Sequence, residues 1–186
     1  YKKNMHFAYM SIVGSGNNAC TLHYIKNDSL LKDKDLVLID AAAENNGYAS
    51  DITRTFPVNG SFSGEQLALY ELVLAAQLCS IESVIPGKST EEIHHVAVRI
   101  LVEGLIELGL LTGSIDSIIE TGAYQHLYMH RTGHWLGLDV HDVGAYRLGE
   151  LPVELRKGMV LTVEPGGYIS DRLPVPEGQP LIDDRW

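Results

Sequence analysis

The stretch LVLIDAAAENNGYASDITRTFPV, residues 36–58, constrains the fold of this chain more than any other. Two β-rich runs, 36–41 and 48–56, flank the turn formers Asn45-Asn46-Gly47, which predicts a β-hairpin. Asp40 and Asp51 interrupt those runs. A turn centred on Asn45-Asn46 sets Asp40 directly opposite Asp51, and one centred on Asn46-Gly47 sets it two positions away. Either register puts both carboxylates on one face. Like charges on one face repel, so the pair calls for a cation, a shared proton or solvent. Taken alone, it fits a metal site or a solvated hairpin edge.

Two helices follow. GEQLALYELVLAAQLCSIESVI, ended by Pro86-Gly87, predicts a helix over 65–84. In STEEIHHVAVRILVEGLIELG, Ser89 and Glu92 have capping-box spacing. Ile93, Val96, Ile100, Leu101, Leu105 and Leu108 recur at helical intervals, and Gly109 is a natural stop. From residue 127 onward, LYMHRTGHWLGLDVHDVGAY and GMVLTVEPGGYI return to short strands and turns. Strands, two helices and strands again predict an α+β domain with a mixed or antiparallel sheet backed by helices. No repeat or linker divides it.

The histidines weigh on the paired acids. His130, His134 and His141 fall within twelve residues of HRTGHWLGLDVHD, beside Gly133 and Gly137, which allow close backbone approach, and apolar residues that exclude water. Glu164 ends the apolar run MVLTV, where desolvation calls for a cation, hydrogen bonds or a solvated strand end. Two Asp, one or more His and a Glu suit Mn2+, Fe2+, Co2+ or Zn2+, with Mn2+ first among them. Carboxylates able to bridge favour two ions about 3.5 to 4 Å apart. A two-metal hydrolase is the natural reading.

A formal charge of −10 disfavours nucleic acid and anionic membrane as partners. No apolar run reaches the roughly 18 residues of a membrane span, and no leader pattern opens the chain, so a cytoplasmic protein is expected. Cys20 and Cys79 lie outside any metal-like spacing and are expected to be small buried hydrophobes.

LVLIDAAAENNGYASDITRTFPVNG, HRTGHWLGLDVHDVG and GMVLTVEPGGYI resemble, in order and at compatible separations, the catalytic domain of bacterial Xaa-Pro aminopeptidase. That family shares the pita-bread fold with prolidase, methionine aminopeptidase and creatinase. The resemblance implies metal ligands at Asp40, Asp51, His134 and Glu164, with Asp51 bridging two divalent ions and Glu164 also serving as general base. It further implies that His23 contacts substrate near the scissile peptide, and that His130 and His141 flank substrate and stabilise the tetrahedral intermediate. The activity implied is release of the N-terminal residue from peptides with proline at the second position; a homo-oligomer is compatible with this.

Prolidase, acting on Xaa-Pro dipeptides, is the nearest alternative; a piece that binds peptide or protein without full activity is another. Two departures from the family pattern stand out. Asp40-Ala41-Ala42 replaces the usual Asp-Ala-Gly. A fifth ligand, a glutamate in a later strand, would fall beyond Trp186, so 1–186 is expected to be a partial catalytic domain that also lacks the family's N-terminal domain. Asp183 and Asp184 are then solvated residues leading toward that strand.

Overall fold

The computed structural model describes residues 5–186. Its contacts form two compact units. The first runs to Ser63 and takes in His134–Gly144 and Val160–Thr162; the second comprises Gly64–Gly133, Ala145–Met159 and Val163–Trp186.

In the first unit the strands are β1 (Met5–Phe7), β2 (Ile12–Ser15), β3 (Leu36–Asp40), β4 (Ala43–Asn45), β5 (Tyr48–Ala49) and β6 (Thr53–Pro57). Asn46 and Gly47 both adopt positive φ, 54° and 84°, the conformation a two-residue type I′ turn requires. That turn selects the second of the two registers. Asn45 pairs with Tyr48 and Asp40 with Thr53, so Asp51 stands two positions from the residue facing Asp40. Ala41 N–H to Ile52 O and Ser50 N–H to Ala43 O carry the same register across the interval between strand pairs.

The outer neighbour of this hairpin is interrupted. β1 pairs with β4, and Ala8 N–H still donates to Ala42 O, but β2 resumes with Ile12 opposite Asp40. Four residue steps on one strand therefore face two on the other, a bulge of two extra residues that contains Tyr9.

The expected strand at 159–163 is reduced to an isolated bridge between Leu161 and Trp135. Leu136 N–H donates to Val160 O and Thr162 N–H to His134 O, as in an antiparallel pair. The His134 amide, however, donates to the Thr162 hydroxyl at 3.0 Å. A side chain has taken the amide that a regular pair would give to a carbonyl, and the ladder stops there.

The second unit is helical. α1 (Gly64–Glu82) and α2 (Thr90–Glu107) match the predicted helices to within about two residues at each end. The Ser89–Glu92 capping box is formed in both directions, and Gly109 (φ 75°) ends the helix. A short α3 (Ile115–Thr121), capped by Ser114 and stopped by Gly122, was not anticipated. Ala76 of α1, Val98, Leu101, Val102 and Leu105 of α2, and Ile118, Tyr124, Leu127 and Tyr128 beyond them form the core. A two-strand hairpin, β7 (Arg147–Leu148) and β8 (Leu151–Pro152), is tied to the start of α2 by an Arg147–Glu91 ion pair. Among the described residues no helix is long and apolar enough to cross a membrane. Neither cysteine is in a disulfide; Cys79 is exposed on α1, and Cys20 is only partly buried, so neither is the buried hydrophobe expected.

Candidate metal centre

In the first unit the bulge turns Tyr9 toward the paired carboxylates. Its hydroxyl contacts Asp40 Oδ1 closely and lies 2.9 Å from Asp51 Oδ1. A phenol has one proton to share between these two oxygens. Burial, reinforced by the hydrogen bonds and charges of both carboxylates, raises the Tyr9 pKa well above its ordinary value, so the phenol remains protonated.

His134 reaches the same place. Its Nδ1 lies 2.9 Å from the Trp135 carbonyl oxygen, which can only accept, so Nδ1 carries the proton. Nε2 is left 3.0 Å from Asp51 Oδ2. In a neutral imidazole that nitrogen is a bare lone pair facing a carboxylate, a contact that needs a proton or a cation between the two atoms. Burial alone would raise the Asp51 pKa, but the pairing with His134, the hydrogen bond from Tyr9 and the proximity of the His134 and His141 rings outweigh it and hold the carboxyl below its usual range. Asp40, Asp51 and His134 thus present two carboxyl groups and one imidazole nitrogen, with Nδ1 fixed by a backbone carbonyl as in a metal-binding imidazole. The donor set fits a divalent cation.

The His134–Gly144 segment is anchored to the hairpin by Ala49 N–H donating to Gly137 O at 2.8 Å. At Gly137 a Cβ would come 2.1 Å from Asp142 Oδ2, so this glycine lets the loop close on itself. His141 stands edge-on to His134, ring centroids 4.3 Å apart, and His23 follows 6.0 Å beyond His141. His23 adopts φ 57°, in the left-handed region that costs a non-glycine residue free energy; such strain is often stored at functional sites. Five of the residues singled out from the sequence, Asp40, Asp51, His134, His141 and His23, are therefore neighbours in this unit.

His130 and Glu164 belong to the second unit. Glu164 N–H donates to Thr132 O at 2.7 Å, which sets its backbone beside the loop carrying His130. His130 Nδ1 donates to Arg131 O, so in neutral His130 Nε2 accepts from the Tyr168 hydroxyl at 2.6 Å. Gly166 makes room for this bond, since a Cβ there would lie 2.7 Å from the Tyr168 ring. Asp183 and Asp184 are exposed, and Asp183 pairs with Arg185, as expected of solvated residues.

Tyr9 and Tyr168 escaped the sequence reading. Tyr168 carried a signal, because it lies four residues past Glu164 within the same motif. Tyr9 carried none, because its contacts depend on the bulge.

Oxygen-rich donors gathered on an antiparallel hairpin, with histidines ranked beside them, fall on the fold of the pita-bread metallopeptidases. The model of metallopeptidase family M24 matches residues 2–179, and the chain belongs to that family. The chain is 55% identical over 170 residues to a Xaa-Pro aminopeptidase of Haemophilus influenzae, covering 91% of this chain and 39% of that one. Among solved structures it resembles Pseudomonas aeruginosa aminopeptidase PepP, with a TM-score of 0.86 and 55% identity over 88% of this chain and 37% of the other. It also resembles a zinc-substituted Escherichia coli aminopeptidase P in complex with product, with a TM-score of 0.87 and 50% identity over 92% of this chain and 39% of that one. The chain spans about two-fifths of the length of the curated relatives it matches.

Proposed function

We propose that the protein to which this chain belongs is a cytoplasmic aminopeptidase that removes the first residue from peptides with proline in second place. The observation that carries the reading is the pairing of His134 Nε2 with Asp51, whose second oxygen is shared through Tyr9 with Asp40. A set of this kind, in a chain 55% identical to a Xaa-Pro aminopeptidase, supports that activity ahead of a metal-free binding module.

Asp40, Asp51, His134 and Glu164 would hold two divalent ions, Mn2+ first among Mn2+, Fe2+, Co2+ and Zn2+. When bound, the ions supply a hydroxide from water near neutral pH, polarise the scissile carbonyl and anchor the free amine. The chain's own residues do the rest. Tyr9 orients Asp40 and Asp51. The Trp135 carbonyl keeps the Nε2 lone pair of His134 available by holding the proton on Nδ1. Glu164 accepts a proton from the attacking water and passes it toward the leaving proline nitrogen. His130, its ring set by the Arg131 carbonyl at Nδ1 and the Tyr168 hydroxyl at Nε2, flanks the substrate with His141, and the two stabilise the tetrahedral intermediate. His23 contacts the substrate near the scissile peptide.

The test is hydrolysis of a Xaa-Pro-Xaa tripeptide beside the matching Xaa-Pro dipeptide, with elemental analysis of the purified protein. Cleavage of the tripeptide with metal bound supports the reading. A marked preference for the dipeptide makes the protein a prolidase, and metal-free peptide binding without cleavage makes it a binding module.

A further inference from the structure

Behind His130 and Glu164 the second unit holds a buried polar chain that the proposed reaction does not use. His94 Nδ1, from α2, lies 2.9 Å from Thr132 Oγ1, and the Tyr128 hydroxyl lies 2.7 Å from the same oxygen. His94 is 6% exposed, Thr132 2% and Tyr128 not at all. Counting protons gives the chain a direction. If Tyr128 donates to Thr132 and Thr132 donates to His94 Nδ1, both hydroxyl protons are used; the reverse order leaves the phenol proton outside the chain. Burial, with the nearby positive charges of Arg131, His95 and His130, lowers His94 to about 4, so the imidazole stays neutral and able to accept. Polar groups this deep are costly unless all are satisfied, which makes the three side chains a single unit.

Two residues of the proposed reaction hang on that unit. The Thr132 carbonyl accepts the Glu164 amide. The Tyr128 ring meets the His130 ring edge-on, centroids 5.0 Å apart. Tyr128 and Thr132 are also the two ends of the short loop that has His130 at its centre.

We propose that His94 is a positioning residue: by holding Thr132, and through it Tyr128, it pins both ends of the 128–132 loop and so fixes His130 and the backbone of Glu164. The inference rests on the functional reading above. It is tested in the metal-loaded protein with His94→Leu and Thr132→Val, which break the chain, and with His94→Asn and Thr132→Ser, which keep an acceptor or hydroxyl near the original atom. Each variant is assayed for kcat and KM on a Xaa-Pro-Xaa tripeptide, and the ring signals of His130 are followed by NMR.

The breaking variants are expected to lower kcat about tenfold while KM stays within about twofold, and to move the His130 signals; the conservative pair recovers both. Should His94→Leu fail to fold, the nearly isosteric Thr132→Val carries the test. Unmoved His130 signals in the breaking variants, or conservative variants as impaired as the breaking ones, would overturn the proposal. If the unmutated protein cleaves no Xaa-Pro peptide, the functional reading falls, while the His130 signals still decide the positioning.

Discussion

The hydroxyl of Tyr9 stands 2.9 Å from Asp51 Oδ1 although the two residues are 42 positions apart in the chain. The same hydroxyl contacts Asp40, so one phenol orients both hairpin carboxylates.

Replacing Tyr9 with Phe removes that hydroxyl and keeps the ring. A group supporting metal ligands in this way is typically worth about 10- to 100-fold in metal affinity. We expect Tyr9→Phe to weaken divalent-ion binding in that range in a competitive chelator titration, with the thermal midpoint of the metal-free protein little changed. An unchanged affinity would show that the carboxylates need no such orientation.

Asp51→Asn and His134→Ala each remove one partner of the 3.0 Å contact. Both should lower the metal retained after dialysis, read by elemental analysis, and both should abolish most peptide hydrolysis. A double variant should lose little more than either single one, because the two groups act as a unit. Additive losses would argue that they belong to separate sites.

The buried His94 links stability to pH. Its folded pKa of about 4 lies below the ordinary histidine value of about 6.5. Between those values the unfolded chain takes up a proton that the folded chain does not. The stability contributed by neutral His94 is therefore fully present above about pH 6.5 and is lost as pH falls toward 4, by on the order of 3 kcal/mol. Denaturant melts at pH 7 and pH 4.5 should show a smaller drop for His94→Asn than for the unmutated protein; equal drops would mean that His94 is not the group responsible.

Ser89→Ala deletes the N-cap of α2, where the Ser89 side chain takes the Glu92 amide and Glu92 returns to the Ser89 amide. Loss of such a cap costs about 1 kcal/mol. The expected signature is a lower thermal midpoint with unchanged metal affinity, since the cap touches neither group of candidate ligands.

Local patterns made much of this legible. The alternation of side chains across a strand placed Asp40 and Asp51 on one face before their register was known, and the positive φ of Asn46 and Gly47 then decided between the two registers. The capping box and apolar spacing located α2 because both signals lie within a few turns of helix. The features that escaped depend on contacts distant in the chain. Nothing near Tyr9 announces a two-residue excess relative to a strand more than thirty positions later. The strand expected at 159–163 was interrupted by the Thr162 hydroxyl, a choice between two acceptors that hydrophobic patterning does not encode. His94, on an apolar helix, reads as a core residue until Thr132 and Tyr128 are seen beside it.

The size of the bulge has a consequence for how such a site can be altered. Side chains alternate with a period of two, so a single extra residue would turn every later side chain of β2 to the opposite face, whereas two leave the parity of the strand intact. Tyr9 is thus released from the ladder without inverting Ile12 through Ser15. Deleting Tyr9 with its neighbour Met10 should leave a continuous strand without the phenol, while deleting either one alone should turn the strand inside out; loop length, more than loop composition, is the quantity that variation here must conserve.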